Sequence, residues 1–319
     1  MRTLRADLHV HSWHSKQSGN MRFLRSRDCY SNPEDVYLVA KARGMDLVTI
    51  TDHDSIDGCL ELLARRPGAA DIFISEEVSC WFPGTGIQVH LGVYGTTEQL
   101  HRDIQPLRGN VFDVIARLRD AGVFFSLNHL LHFYRRQVPL DDYLRLLDQV
   151  PALEVHNGTM LRAHNDLIGY LATSWKPGGA LGMTGGSDAH TLRRIGRTFT
   201  AAPGTNVAEF LGNLQQGRSI TGGVHGGIGA VAGDAYGVVA KYCGSLIGLG
   251  PCEQPMLRRA ACLAFSVVSL PAQFVPLTLV AAGKRREARE VRRVEAEMTG
   301  WTRRVPAARL AARNMESRL

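Results

Sequence analysis

The chain of 319 residues has six cysteines (Cys29, Cys59, Cys80, Cys243, Cys252 and Cys262), with no CxxC pair and no tight framework. A chain of this length does not need disulfides to close a core, so free thiols in a reducing setting are expected. An apolar leader is missing too: Arg2 and Arg5 precede a polar, histidine-rich run, and a cytoplasmic location is expected. There is no GxGxxG, no Walker loop and no Gx-Ser-x-Gly elbow, which argues against dinucleotide, P-loop and α/β-hydrolase chemistry. Gly222–Gly227 is glycine-rich but follows no nucleotide pattern, and reads as a linker. Net positive charge is small over most of the chain. Of the formal net charge of +7, residues 284–319 carry +6, leaving +1 for residues 1–283. The basicity is thus a property of the tail, and a basic track for nucleic acid across the first 283 residues is not expected.

What is present is an ordinary globular composition, 45% hydrophobic and 21% charged, arranged as alternating strand-type and helix-type segments. Strands are predicted at Thr3–His9, Leu47–Thr51, Ile72–Ser79, Ile87–Val93, Phe124–His129, Ala152–Asn157 and Leu181–Gly185. Their continuous apolar runs suit strands buried on both faces. Helices are predicted from Pro33 to Arg43 with Gly44 as the stop, from Asp113 to Ala121, and after a capping box at Asn206 to Glu209. Seven alternations imply a barrel-like or doubly wound α/β domain. After about residue 224 the composition changes to glycine-rich and apolar segments, then a basic tail, so a boundary between residues 1–224 and 225–319 is expected.

Twelve histidines are present, and most fall at predicted strand ends before residue 191. His9 and His11 close the first strand, Asp52 and His53 the second, and Glu77 the third. His90 lies on the fourth, His129 closes the fifth, His156 the sixth, and Asp188 and His190 follow the seventh. In a parallel barrel such ends converge on one face, where sites are built. Imidazole nitrogen and carboxylate oxygen suit Zn, Mn or Fe, and so many donors point to two or three divalent ions.

Asp7-Leu8-His9-Val10-His11-Ser12, Thr51-Asp52-His53-Asp54, Glu76-Glu77-Val78-Ser79, Val89-His90-Leu91-Gly92, Asn128-His129 and Gly186-Ser187-Asp188-Ala189-His190 occur in that order. Together they resemble the PHP (polymerase and histidinol phosphatase) family, over residues 3 to about 222. The resemblance implies a distorted (β/α)7 barrel and a metal-dependent phosphoesterase whose nucleophile is a metal-bridging hydroxide. It implies that His9, His11, Glu77 and Asp188 hold one ion, that Glu77 bridges to a second held by His90 and His129, and that His53 and His190 hold a third. The remaining ligand departs from the family pattern. The residue seven after His9 is Lys16, which cannot ligate while charged; the position five before Pro33 is Asp28. An insertion between His11 and Asp28 makes Asp28 the expected ligand, with His14 as the rival.

Around this set, Asp7 and Asp52 are expected to support ligands and not to bind metal, and Asp54 to cap the next turn. His156 is a candidate contact to substrate or to the ligand set. Arg194 and Arg197 are the candidate phosphate-binding residues, with Lys16, Arg135 and Arg136 in other loops. Lys16–Arg27 reads as a candidate lid, and substrate specificity is expected in Gly19–Arg27 and Leu130–Val138. Beyond the boundary, Ala260–Ala282 is a 23-residue apolar run, long enough to cross a hydrocarbon core but interrupted by Pro271, Gln273 and Pro276. A hairpin associated with a membrane on its cytoplasmic side is one reading, a soluble helical subdomain the other. The expected partner is a small phosphorylated substrate or nucleotide. Exonuclease-like hydrolysis of oligonucleotides, and a non-catalytic membrane-tethered regulatory module, are the alternatives.

Overall fold

The computed structural model describes residues 2–16, 26–133, 138–174, 181–250, 252, 254–269, 272 and 274–316, and their side chains apart from 133, 140 and 298–316. The elements, in order, are β1 (Thr3–Ala6), α1 (Pro33–Ala42), α2 (Asp57–Arg65), β2 (Ser75–Trp81), β3 (Gln88–Tyr94), α3 (Glu98–Ile104), α4 (Val111–Asp120), β4 (Phe124–Asn128), α5 (Leu130–Phe133) and α6 (Leu140–Gln149). Then come β5 (Ala152–Asn157), α7 (Arg162–Ser174), β6 (Gly182–Gly186), β7 (Thr198–Pro203), α8 (Val207–Gln215), β8 (Ile220–Gly223), α9 (Ile228–Leu246), α10 (Met256–Val268) and α11 (Val275–Glu316). Arg135, Arg136 and residues 17–25 of the candidate lid lie outside the described residues.

Local sequence accounts for the helix ends. Asn32 accepts from the Glu34 amide at 2.9 Å, Pro33 occupies the first turn, and Gly44 takes up φ +79° just beyond the helix. Asn206 caps α8 in the same way through the Glu209 amide, also at 2.9 Å. Each such cap contributes roughly 1 kcal/mol.

The architecture is mixed α/β. Among the described residues the ladders form two sheets, β1-β7-β8 and β2-β3-β4-β5-β6, and not one closed ring of parallel strands. β3 runs antiparallel to both β2 and β4, while β4, β5 and β6 are parallel. The reversal follows from the short Phe82–Ile87 connection, closed by the Phe82 amide on the Ile87 carbonyl, since a connection of that length cannot support a parallel crossover. The expected strand at Leu47–Thr51 makes only isolated bridges, Val48 to Ile72 with His53 to Glu77 just beyond it. β7 and β8 were not expected. β8 takes in the first two residues of the expected linker, pairing Gly223 with Thr198 and Gly222 with Phe199.

The main core lies between the five-stranded sheet and α4, α6 and α7, with Val78, Leu91, Val93, Ile115, Leu118, Leu146 and Leu153 fully buried. Side chains of this kind contribute about 1.5–3 kcal/mol each. Val291 and Val294 of α11 belong to the same core. The Ala260–Ala282 run is divided between α10 and α11, with Pro276 in the first turn of α11, where a missing N–H costs nothing. Among the described residues, no helix is long and apolar enough to cross a membrane.

Candidate metal centre

β1 leaves its ladder at Ala6, and the next five residues run between two neighbours. The Thr51 amide donates to the Val10 carbonyl at 2.7 Å, the His11 amide to Ala189 at 3.1 Å, and the Asp188 amide to His9 at 2.7 Å. Alternation then turns His9 and His11 to one side and Leu8 and Val10 to the core. His53 reaches the same point because its bridge to Glu77 is flanked by the Glu77 amide on Asp52 and the Asp54 amide on Glu77. His90 arrives from the other direction. β3 is reversed, so its first residues, not its last, lie at the rim, with His90 opposite Asn128.

Glu77 is the centre of the arrangement. Its carboxylate lies 3.1 Å from His9 Nε2, 3.6 Å from His11 Nε2, 3.2 Å from His53 Nδ1, 3.2 Å from His90 Nδ1 and 3.0 Å from His129 Nε2. Asp188 Oδ1 lies 3.6 Å from His9 Nε2, 3.4 Å from His11 Nε2 and 3.7 Å from His190 Nδ1. Two of the ligand candidates, His129 (φ 27°) and Asp188 (φ 50°), adopt left-handed backbone that costs a non-glycine residue on the order of 1–3 kcal/mol.

Donor chemistry and burial fit divalent cations. His9 Nε2, His53 Nδ1, Glu77 Oε2 and Asp28 Oδ1 are buried and make no hydrogen bond among the described residues. Groups of three donors that close within 4.8 Å are His9-His11-Glu77, His53-Glu77-His90, His11-His53-His190 and His9-His129-Glu154. Buried polar atoms without partners are costly, and a cation shared among them removes that cost. Burial alone pushes the Glu77 carboxyl up, but His9, His90 and His53 outweigh it and hold it well below the usual range. Asp188 is held low likewise, against burial, by His9, His11 and His190. Burial drives the His53 imidazole well below its usual value and so keeps it neutral. Burial also opposes charge on His9, but Glu77, Asp188 and Glu154 raise it well above the usual range, so a proton and a cation compete for the same carboxylates.

Asp28 faces His53 Nε2 at 3.9 Å and His190 Nε2 at 3.8 Å, and accepts from Ser15 Oγ at 3.0 Å. His14 instead pairs with Glu61 at 2.5 Å. The main-chain amide of Lys16 is bonded to the His53 carbonyl at 3.1 Å, and its side chain is exposed. Asp7 accepts from the amides of Ser187 and Gly196, shaping the loop that carries Asp188. Asp52 accepts from the Ser12 amide and hydroxyl. Asp54 accepts from the Ser79 amide at 2.8 Å and from Arg108 at 2.6 Å.

The expected phosphate contacts fare differently. Arg194 is buried, with Nε 3.2 Å from Asp234 and its terminal nitrogen donating to the Gly158 carbonyl. Its guanidinium thus faces Asp234 and the Gly158 carbonyl, not the histidine cluster around Glu77 where it is expected to contact substrate. Arg197 is exposed and lies close enough to Arg43 to depress that guanidinium, after burial has done so. His156 does not face the cluster. An irregularity between Glu154 and His156 shifts the register against β6, breaking the alternation that would put both on one face. His156 stacks on His225 at 4.4 Å between ring centres.

Glu154 occupies the place expected of His156. Its Oε1 lies 2.7 Å from His9 Nδ1, and its Oε2 accepts from the His129 amide and from Asn157 Nδ2, each at 3.0 Å. Glu154, Asn157 and Thr159 are the residues that sequence reasoning missed. The available signal was a buried carboxylate in β5, the strand that also carries His156 and Asn157.

The model of the PHP-associated family matches residues 164–219, which include Asp188 and His190. Over that stretch, under a fifth of its length, the chain is similar to the PHP-associated family. An uncharacterized protein of Methanocaldococcus jannaschii is 40% identical over 60 residues, which is 18% of this chain and 33% of that protein. The chain therefore matches only a third of the length of that curated relative. Among solved structures, PsfC from Pseudomonas syringae aligns at 20% identity and TM-score 0.47, over 76% of this chain and 97% of that one. A two-domain protein from Bacteroides vulgatus containing a predicted PHP-like metal-dependent phosphoesterase aligns at 18% and 0.48, over 70% and 65%. A lesion-specific endonuclease from Pyrococcus furiosus aligns at 17% and 0.44, over 67% and 56%. At these scores the likenesses decide neither substrate nor mechanism.

Proposed function

We propose that this chain is a PHP-like metal-dependent phosphoesterase with two or three divalent ions (Zn, Mn or Fe). The observation that carries this is the convergence of five imidazoles on the buried Glu77 carboxylate, at 3.0 to 3.6 Å. Five neighbouring imidazoles cannot all be protonated there, and neutral ones offer lone pairs that suit divalent cations. His9, His11, Glu77 and Asp188 form one set of ligands, Glu77, His90 and His129 a second, and Asp28, His53 and His190 a third. When bound, divalent ions acidify water and neutralise charge developing on phosphoryl oxygens. The chain's own part is to hold these donors in place. Glu77 and Asp188 stay ionised, His9 is oriented by Glu154, and the buried rim excludes bulk water. The two sheets and the bridges Val10–Ala189, Val48–Ile72 and His53–Glu77 support a distorted (β/α)7 barrel as the underlying architecture.

The test is metal content and chelator-sensitive hydrolysis by the purified full chain, on a panel of phosphomonoesters, a phosphodiester and short oligonucleotides. Bound metal with monoester hydrolysis is the expected result. Hydrolysis confined to oligonucleotides moves the reading to an exonuclease-like enzyme. No metal and no hydrolysis ends it.

A second role, contact with an anionic lipid surface, is favoured by a separate observation. Met256, Leu257, Val267, Val268, Phe274 and Leu279 are all exposed on α10, α11 and the turn between them. Val267, Val268, Phe274 and Leu279 lie between the pairs Arg258-Arg259 and Arg285-Arg286, and Met256 and Leu257 directly precede the first pair, an apolar stretch with basic neighbours suited to an interface. Co-sedimentation with phosphatidylserine vesicles, and none with phosphatidylcholine vesicles, is expected. Equal recovery in both supernatants sinks it.

A further inference from the structure

The loop after β5 is gripped by residues from the end of the chain. Lys284 of α11 is buried and donates from Nζ to the Thr159 carbonyl at 2.5 Å. Glu287, one turn on, accepts the Leu161 amide at 2.7 Å and pairs with Lys284 at 2.5 Å. Between them, the Gly226 amide donates to the Met160 carbonyl at 2.7 Å. A Cβ at Gly226 would lie 1.8 Å from the Thr159 oxygen, so only glycine permits this approach. The Gly158 carbonyl is taken by Arg194, which Asp234 of α9 holds at 3.2 Å, while Asp234 also accepts from Thr191 at 2.8 Å. From 158 to 161, each residue has a backbone group bonded to a residue of the C-terminal region, or to Arg194 held by Asp234.

What the loop presents is Thr159. Its amide donates to Asn157 Oδ1 at 2.8 Å, and its hydroxyl lies 2.7 Å from that oxygen and 2.9 Å from Asp188 Oδ2; with the amide already on Asn157, the carboxylate is the stronger acceptor for the one hydroxyl proton. Asn157 Nδ2 reaches the same Asp188 oxygen at 3.2 Å. Asp188 Oδ1 is thereby left facing His9, His11 and His190. Because Asp188 stands in left-handed backbone, its carboxylate keeps this direction only while its surroundings enforce it.

We propose that Lys284 and Asp234 are positioning residues for Asp188, acting through the 158–161 loop and Thr159, so that α9 and α11 complete the cation site. This rests on the metal reading above. It makes the C-terminal helices part of the centre and not an appendage to it.

The experiment titrates the chelator-stripped full chain with Co2+, following the visible absorption of the bound ion, with thermal melts run in parallel. Lys284→Met, Asp234→Asn and Thr159→Val should each weaken the Asp188-linked site by on the order of tenfold or more and change its spectrum. Thr159→Ser, which keeps the hydroxyl, should match the parent chain. Parent-like titrations of Lys284→Met and Asp234→Asn, or equal behaviour of Thr159→Val and Thr159→Ser, overturn the inference while leaving the metal reading intact. If Lys284→Met fails to fold, Asp234→Asn decides, since it leaves the α11 contacts in place. A parent chain that takes up no cobalt overturns both readings.

Discussion

His9 Nδ1 lies 2.7 Å from Glu154 Oε1, and both side chains are buried. A neutral His9 that donates from Nδ1 presents its Nε2 lone pair toward Glu77 and Asp188, so one carboxylate sets both tautomer and ring direction. Glu154→Ala should therefore weaken metal binding about ten- to hundredfold, and Glu154→Gln less, because its carbonyl oxygen still accepts. Equilibrium dialysis against buffered zinc measures both. Affinities unchanged from the parent would mean that His9 is oriented by other contacts.

His9→Ala should abolish phosphoester hydrolysis, with far-UV circular dichroism unchanged. Chelator should do the same to the parent chain, and added Zn, Mn or Fe should restore activity. Hydrolysis that survives both treatments would place the chemistry elsewhere.

Asp28 and His14 are the rivals for the remaining ligand, and only Asp28 faces His53 and His190. Elemental analysis after metal loading should show one ion fewer per chain in Asp28→Ala and no change in His14→Ala. The reverse pattern would overturn the assignment.

Gly186 precedes Ser187-Asp188, and a Cβ there would lie 2.3 Å from His9 Cβ and 2.4 Å from the His9 nitrogen. Gly186→Ala must push the His9 segment away. It should cost about 1–3 kcal/mol in urea unfolding and lower metal affinity as well. An alanine variant as stable as the parent would show that the approach is not needed.

Burial alone would push the Glu287 carboxyl up, but His164, Lys284 and the Leu161 amide outweigh it and hold it at about 2, against the usual 4.5. The folded state favours its charged form. Its contribution is complete above about pH 4.5 and is lost as the pH falls toward 2. Amide exchange at residues 158–161 should rise over that window in the parent and should already be raised at neutral pH in Glu287→Gln. Flat exchange across the window would separate Glu287 from the loop.

Part of this was open to reading along the chain. The alternation of apolar runs with capped helices announced mixed α/β structure, because Asn32, Asn206 and Gly44 act on their own neighbours. His9-x-His11 and the Ser187-Asp188-Ala189-His190 stretch marked donors by type and order. Asp28 as a candidate beside His53 and His190 was open to reading as well, since Pro33 anchors the count. Other features were not. Glu154 and His156 differ by two residues in a buried strand, and only the register shift against β6 sends one to His9 and the other to His225. Arg194 looked free for phosphate because Asp234, which occupies it, lies 40 residues further along.

By itself, then, the sequence determined which donors exist and which short elements carry them, since caps, turns and alternation act over a few residues. Tertiary structure alone decided which donors meet and the grip of α9 and α11 on the loop behind Asp188. Those depend on contacts between residues tens to more than a hundred positions apart, for which no local spacing carries a signal.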